Sequence, residues 1–127
     1  MLDYLKGDSP RAIEEFEKAL NIYKTIYSPE HMETLKLSVN LAGLYTATGK
    51  PEAAESLLQK VYSVQKNILG ATHSSTLNTQ QHLARALTAL NKIPEAIYHA
   101  ETNYELAKNN FKETDPVVDT AEFILAK

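Results

Sequence analysis

Four histidines are the residues of this chain best suited to catalysis or metal binding, and they lie at positions 31, 73, 82 and 99. A zinc-binding helix usually places two histidines four residues apart, so that both imidazoles project from one face. No two of these histidines have that spacing, and the chain has no cysteine that could complete a thiolate site. The sequence therefore predicts no metal site and no cofactor.

Signatures of enzymatic chemistry are also missing from the sequence. It has no phosphate-binding glycine loop, no G-x-S-x-G nucleophile turn and no H-E-x-x-H pair. Three glutamates crowd one stretch, but Glu14, Glu15 and Glu17 fit a solvated helix face better than a paired acid and base. We therefore expect a protein that is not an enzyme.

Charge and hydropathy exclude two further classes of partner. The net charge is -3, and no dense cluster of lysine and arginine is present that would release counterions from a nucleic acid. No apolar run approaches the roughly 18 residues that a membrane span requires, and the N-terminus lacks the apolar core of a signal peptide. We expect no nucleic acid partner, no membrane partner and a cytoplasmic location.

Residues of the same or similar type recur at a spacing of 42. Gly7 is followed by Gly49 and Asn91, and His31 by His73. The same spacing relates Ala12, Ala54 and Ala96, then Leu41, Leu83 and Leu125, then Ala42, Ala84 and Ala126. A fixed period of this size is typical of stacked repeat proteins. Residues 1–127 are therefore predicted to form a single array of about three 42-residue repeats.

Each period contains two predicted helices. One extends from Pro51 to Leu69, with proline at a favourable first position and an apolar stripe at helical spacing. Matching helices begin at Pro10 and Pro94, and the other helix of the period covers 31–48 and 73–90. In the helices that begin with proline, the predicted buried positions are Ala12, Phe16, Leu20, Tyr23, Tyr27, Ala54, Leu58, Val61, Ile68, Ala96, Ala100, Tyr104, Ala107 and Phe111. In the other helices they are Leu35, Leu41, Ala42, Tyr45, Leu77, Leu83, Ala84 and Leu87.

The residues at the ends of the helices at 31–48 and 73–90, called first-type helices below, predict their own roles. Gly49 and Asn91 follow the last turn, where a left-handed residue is common. His31 and His73 precede the first turn, and the third copy has Asp115 in that position, followed by proline. We therefore expect the two histidines to cap helices or to lie in loops.

These features resemble the tetratricopeptide repeat, and the repeat length resembles that of the kinesin light chain. The usual unit has about 34 residues, so this one is longer by roughly two helical turns. The residues that carry the resemblance are Gly70 with His73, the run Asn40, Leu41 and Ala42, Leu44 with Tyr45, Gly49, and Ala54 with Glu55. The paired asparagines that contact the peptide backbone in that family are replaced here by Val39-Asn40, Gln81-His82 and Phe123-Ile124.

The resemblance implies an all-α fold, a right-handed α-solenoid of antiparallel helix pairs whose first helices line a concave groove. Residues of those helices that point away from the buried stripe are expected to bind a peptide. They mix amides with cations, and Val39 and Gln81 flank the strip. The predicted peptide-binding residues are Lys36, Val39, Asn40, Gly43, Asn78, Gln81, His82, Arg85 and Lys127.

The predicted function is a protein interaction scaffold that binds an extended or helical segment of a protein partner in this groove. The alternative is a structural module that self-associates or docks onto a neighbouring domain of its own chain, and a regulatory appendage of an enzyme is a third reading. Apolar residues at the two ends, such as Leu2 and Leu125, motivate the alternative. Because the period enters one helix late and leaves another early, we expect the sequence to be part of a longer array.

Overall fold

The computed structural model describes residues 9–110, and they form five α-helices and no strand. The predicted all-α fold is therefore confirmed. The helices are α1 (Ser9–Ile26), α2 (Met32–Ala47), α3 (Pro51–Leu69), α4 (Ser74–Ala89) and α5 (Ile93–Asn110). No helix in this part of the chain is long and apolar enough to cross a membrane.

Each helix packs against the next one along the chain, and α2 also packs against α4. Short turns join the helices, which makes consecutive helices antiparallel neighbours. Contacts limited to near neighbours are the property that defines a helical solenoid. The equivalent helices α2 and α4 thus lie side by side in one layer, while α1, α3 and α5 form the other.

The core lies between the two layers. One buried cluster joins α2, α3, α4 and α5 through residues such as Leu35, Leu58 and Leu87, and a second joins α1 to α2 through Leu20 and Leu41. Ala42 and Ala84 are buried in the middle of their helices, where a small side chain allows two backbones to approach closely. The alanine and leucine positions predicted from the period are confirmed as core residues.

The turn after each first-type helix has the geometry expected from the sequence. Gly49 has φ +84° and Asn91 has φ +62°, so both adopt the left-handed conformation. The N–H of Lys50 donates to the carbonyl oxygen of Tyr45 at 2.8 Å, and that of Lys92 donates to Leu87 at 2.9 Å. This is the Schellman arrangement, and it satisfies carbonyl groups at the end of the helix.

The predicted stripe of α3 is wrong at its C-terminal end. Ile68 is 59% exposed, and the buried stripe passes instead through Gln65. The hydroxyl of Thr79 donates to Gln65 Oε1 at 2.5 Å, which allows this polar side chain to be buried. Tyr27, at the end of α1, is also exposed rather than buried, because it lies beyond the last turn of that helix.

Several predicted positions lie outside the described residues. They are Leu2, Gly7, Phe111, Asp115, Phe123, Ile124, Leu125, Ala126 and Lys127. The predicted single array of about three repeats, and its extension into a longer one, stay predictions.

Candidate functional site

His31 and His73 cap the two first-type helices. Nδ1 of His31 accepts a hydrogen bond from the backbone N–H of Glu33 at 3.1 Å, and Nδ1 of His73 accepts one from Ser75 at 3.0 Å. Both histidines have the extended backbone of an N-cap residue. The predicted capping role of these two residues is confirmed.

On α2, the predicted strip begins with Lys36 and Asn40, and both side chains are exposed. Lys36 Nζ lies 3.7 Å from a carboxylate oxygen of Glu33, one turn earlier on the helix. An exposed ion pair of this kind contributes little stability and breaks readily. The ammonium group of Lys36 is therefore available to another partner.

On α4, Asn78 and Arg85 are exposed, and the side chain of His82 between them is half-buried. A Cβ built on Gly43 of α2 would lie 3.7 Å from Cε1 of His82 and 3.8 Å from its Nδ1. The structure thus brings Gly43 and His82 together at the junction of the two helices. Burial lowers the pKa of His82, and the positive charge of Arg85 lowers it further.

Two of the predicted residues do not lie on the surface. Val39 and Gln81 are each 5% exposed. Val39 belongs to the core cluster that includes Leu58, and Gln81 Nε2 donates to Asn103 Oδ1 at 3.1 Å. Val39 directly precedes Asn40, and Gln81 directly precedes His82. Because one residue turns a helix by about 100°, both side chains point into the interface with the second helix of the repeat. The predicted surface position of these two residues is wrong.

The exposed strip therefore consists of two parallel rows of residues on adjacent helices. The rows are Lys36, Asn40 and Gly43 on α2, and Asn78, His82 and Arg85 on α4. Lys127, the remaining predicted site residue, lies outside the described residues. The rows combine hydrogen-bond donors and acceptors of amides with two cations, so the surface is able to bind main-chain groups and carboxylates.

Sequence analysis missed a buried network of amide side chains between α4 and α5. Asn103 Nδ2 donates to the carbonyl oxygen of Leu77 at 2.8 Å and to Gln80 Oε1 at 3.1 Å. Because Oε1 of Gln80 accepts that bond, its Nε2 faces Nδ1 of His99 at 3.2 Å. The same Nε2 donates to the hydroxyl of Tyr62 at 3.4 Å. This network fixes the orientation of α5 on α4 through directional contacts.

A comparison of equivalent positions in the two repeats indicates this network from the sequence. The positions 42 residues before Gln81 and Asn103 carry Val39 and Val61, which are both core residues of the first repeat. Two amides that replace two valines at buried positions predict a hydrogen-bonded pair, because an unpaired amide in a core is costly. A comparison of the repeats position by position would have found it.

The described residues include no group of three or more histidine, aspartate or glutamate side chains placed to hold a metal ion.

Comparison with known proteins gives a consistent result. The sequence profile described as tetratricopeptide repeat matches residues 1–67 and 33–109. Two crystal structures of nearly identical TPR-like repeats, assigned to a kinesin light chain of Podosopora anserina, share the fold. One of them is a point variant, and it aligns with a TM-score of 0.82 and 27% sequence identity. The alignment covers 98% of this chain and 58% of the chain in that structure. The other aligns with a TM-score of 0.79 and 27% sequence identity, and the alignment covers 98% of this chain and 59% of the chain in that structure. No curated protein sequence matches this chain.

Proposed function

Because this chain belongs to the tetratricopeptide repeat family, with repeats of the kinesin light chain-like type, we propose that it binds a peptide segment of a partner protein without catalysis. Tetratricopeptide repeats in general mediate protein–protein interaction, and stacked helix pairs provide the extended surface for it. The segment lies along the two rows of α2 and α4, in an extended or helical conformation. The setting we propose is the cytoplasm.

The proximity of Gly43 to His82 carries this proposal. It places the row on α2 beside the row on α4, so that a single ligand spans both helices. Glycine has no side chain above the junction, which leaves room for a backbone to approach. Asn40 and Arg85 lie on either side of this junction, on different helices.

The chemistry of the two rows fits a peptide. Amide side chains pair with main-chain N–H and C=O groups, and lysine or arginine pairs with a carboxylate. A hydrogen bond to a charged group contributes about 1.5–3 kcal/mol net, so two or three such contacts with one apolar anchor support roughly micromolar affinity.

The test is a double variant, Asn40→Ala with Arg85→Glu. We expect it to lose the partners that the unmodified protein captures by crosslinking from a cell extract, with no change in helicity or melting temperature. The matched control is Asn67→Ala with Lys24→Glu, which makes the same kinds of change at exposed positions of α3 and α1. Capture by the double variant equal to that of the control would contradict the proposal.

A second candidate function, self-association, is favoured by the exposed apolar side chains of α5. Ile97 is 49% exposed and Tyr98 is 64% exposed, and Ile93 lies one turn earlier on the same helix. Sedimentation over a wide range of protein concentration tests this function. A concentration-dependent mass that Ile97→Glu abolishes would support it, and a constant monomer mass would exclude it.

A further inference from the structure

A cavity of about 490 Å³ lies where α1, α2 and α3 meet. Helices α1 and α3 form its walls, and α2 packs against both of them. At the edge of the cavity, Leu57 of α3 packs against the core cluster that contains Leu20 of α1. None of the residues that line it belongs to the two rows of the proposed peptide site. Those that matter for its chemistry are Glu17, Leu20, Tyr45, Ser56, Leu57 and Lys60.

The second repeat shows what fills such a space. The positions 42 residues after Leu20 and Leu57 carry Tyr62 and His99. Their rings meet edge to face across the groove between α3 and α5, with centroids 5.9 Å apart. In the first repeat the two leucines leave the equivalent space open. The cavity therefore arises because the first repeat lacks the aromatic rings that the second repeat supplies from its own chain.

Polar groups of opposite charge flank the cavity. The hydroxyl of Tyr45 donates to Glu17 Oε2 at 2.5 Å, so this carboxylate already accepts a phenol proton. Burial raises the pKa of Tyr45 to about 12, with the hydrogen bond to Glu17 as a further cause, and the phenol stays protonated. A carboxylate has about four lone-pair positions, which leaves capacity for a second donor. Lys60 contributes a positive charge from the α3 wall.

We propose that this cavity is a second binding site, which receives a tyrosine side chain of a partner protein. The ring occupies the space that Tyr62 and His99 fill in the second repeat, between Leu20 and Leu57. The hydroxyl donates to the carboxylate of Glu17 and accepts from the ammonium of Lys60, so one phenol complements both charges. This site goes beyond the proposed function, since it lies between α1 and α3 rather than along α2 and α4.

The test uses p-cresol, which is the side chain of tyrosine, with toluene as the probe that lacks the hydroxyl. Each is titrated into the full chain while backbone amide signals are followed by NMR. We expect saturable shifts at Leu20, Ser56 and Leu57 with p-cresol, a dissociation constant of roughly millimolar size for so small a probe, and at least about fivefold weaker binding of toluene. Toluene that binds as tightly as p-cresol, or p-cresol that gives no saturable shifts at these residues, would overturn the proposal.

Substitutions in and around the cavity test the assignment further. Glu17→Gln should weaken p-cresol binding several-fold and leave toluene unchanged, whereas Glu15→Gln, an exposed change on the same helix, should alter neither. Leu20→Tyr with Leu57→His transfers the rings of the second repeat and should abolish p-cresol binding. Because that variant changes a buried residue, we add a second way to block the cavity, Ser56→Tyr at its exposed rim. The equivalent position of the second repeat, 42 residues later, carries Tyr98. Unchanged p-cresol binding in both Glu17→Gln and Ser56→Tyr would place the probe elsewhere and refute the assignment.

Discussion

The imidazole of His82 faces Gly43 so closely that a Cβ added to this glycine would lie 3.7 Å from Cε1 of the ring, in ordinary van der Waals contact. The pair joins the two first-type helices on their exposed side. A side chain at position 43 would therefore touch an aromatic ring from the next repeat. A second glycine, Gly49, lies two residues before the start of α3, and there the left-handed backbone is the reason for glycine.

These two glycines are predicted to respond in opposite ways to alanine. At Gly43 a methyl group meets His82 at 3.7 Å without a clash, so Gly43→Ala should stabilise the fold by about 0.5–1 kcal/mol through lower unfolded-state entropy. At Gly49 the φ of +84° disfavours any Cβ, so Gly49→Ala should destabilise it by about 1–2 kcal/mol. Urea unfolding of the two variants measures both changes. Equal signs would show that backbone conformation does not distinguish the two positions.

The capping histidines are predicted to contribute to stability at neutral pH. His73→Ala removes the acceptor for the N–H of Ser75 and should cost about 0.5–2 kcal/mol. His73→Asp should retain most of the stability, because aspartate is a strong N-cap residue and its charge favours the helix N-terminus. Thermal unfolding checks the series, with Thr72→Ala as the exposed neighbour that should change little. An alanine variant as stable as the aspartate variant would be inconsistent with a capping role.

The buried amides are predicted to be coupled. Asn103→Val removes the partner of Gln81 Nε2, the partner of Gln80 Oε1 and a hydrogen bond to the carbonyl oxygen of Leu77, and should cost at least about 2 kcal/mol. Gln81→Val alone leaves one acceptor of Asn103 unpaired and should cost less. The double variant restores the valine pair of the first repeat, so its cost should fall short of the sum by about 1 kcal/mol.

Denaturant unfolding of the two single variants and the double variant measures this coupling. Additive free energies within experimental error would mean that the two amides stabilise the fold independently.

Acid is predicted to weaken the fold through His99 and His82. Burial lowers the pKa of each below 6.5; the charge of Lys66 lowers that of His99 further, and Glu95 opposes it. The unfolded chain then binds protons that the folded chain does not, so stability is complete above about pH 6.5 and falls as pH decreases towards the lowered values. Protonated His99 would also present a donor to the Nε2 of Gln80, which is itself a donor.

Urea midpoints at about pH 7.5 and about pH 5.5 measure this loss of stability. His99→Leu and His82→Asn, which introduce the first-repeat residues, should each reduce the difference between the two midpoints. The result would contradict the prediction if the doubly substituted protein showed the same difference as the unmodified one.

The period of 42 residues was sufficient to predict four features that depend on local structure: the helices, most of their apolar stripes, the left-handed residues and the histidine caps. These follow from backbone conformation and from side-chain spacing along one helix. Gly49 and Asn91, for example, are required by the turn itself. Exposure of Lys36, Asn40, Asn78 and Arg85 also followed from spacing, since their positions on the helix face away from the stripe.

What the sequence alone did not determine depends on contacts between helices. Gln81 is buried with its partner Asn103, which lies 22 residues later, and Gln65 is buried with its partner Thr79. The cavity beside Glu17 is lined by Leu20 and Leu57, at the positions where the second repeat has two rings in contact. The sequence determined the repeat and the helices that compose it. Only the packing of one helix on another decided which polar residues are buried and where space remains for a ligand, because those outcomes depend on side chains that meet from distant parts of the chain.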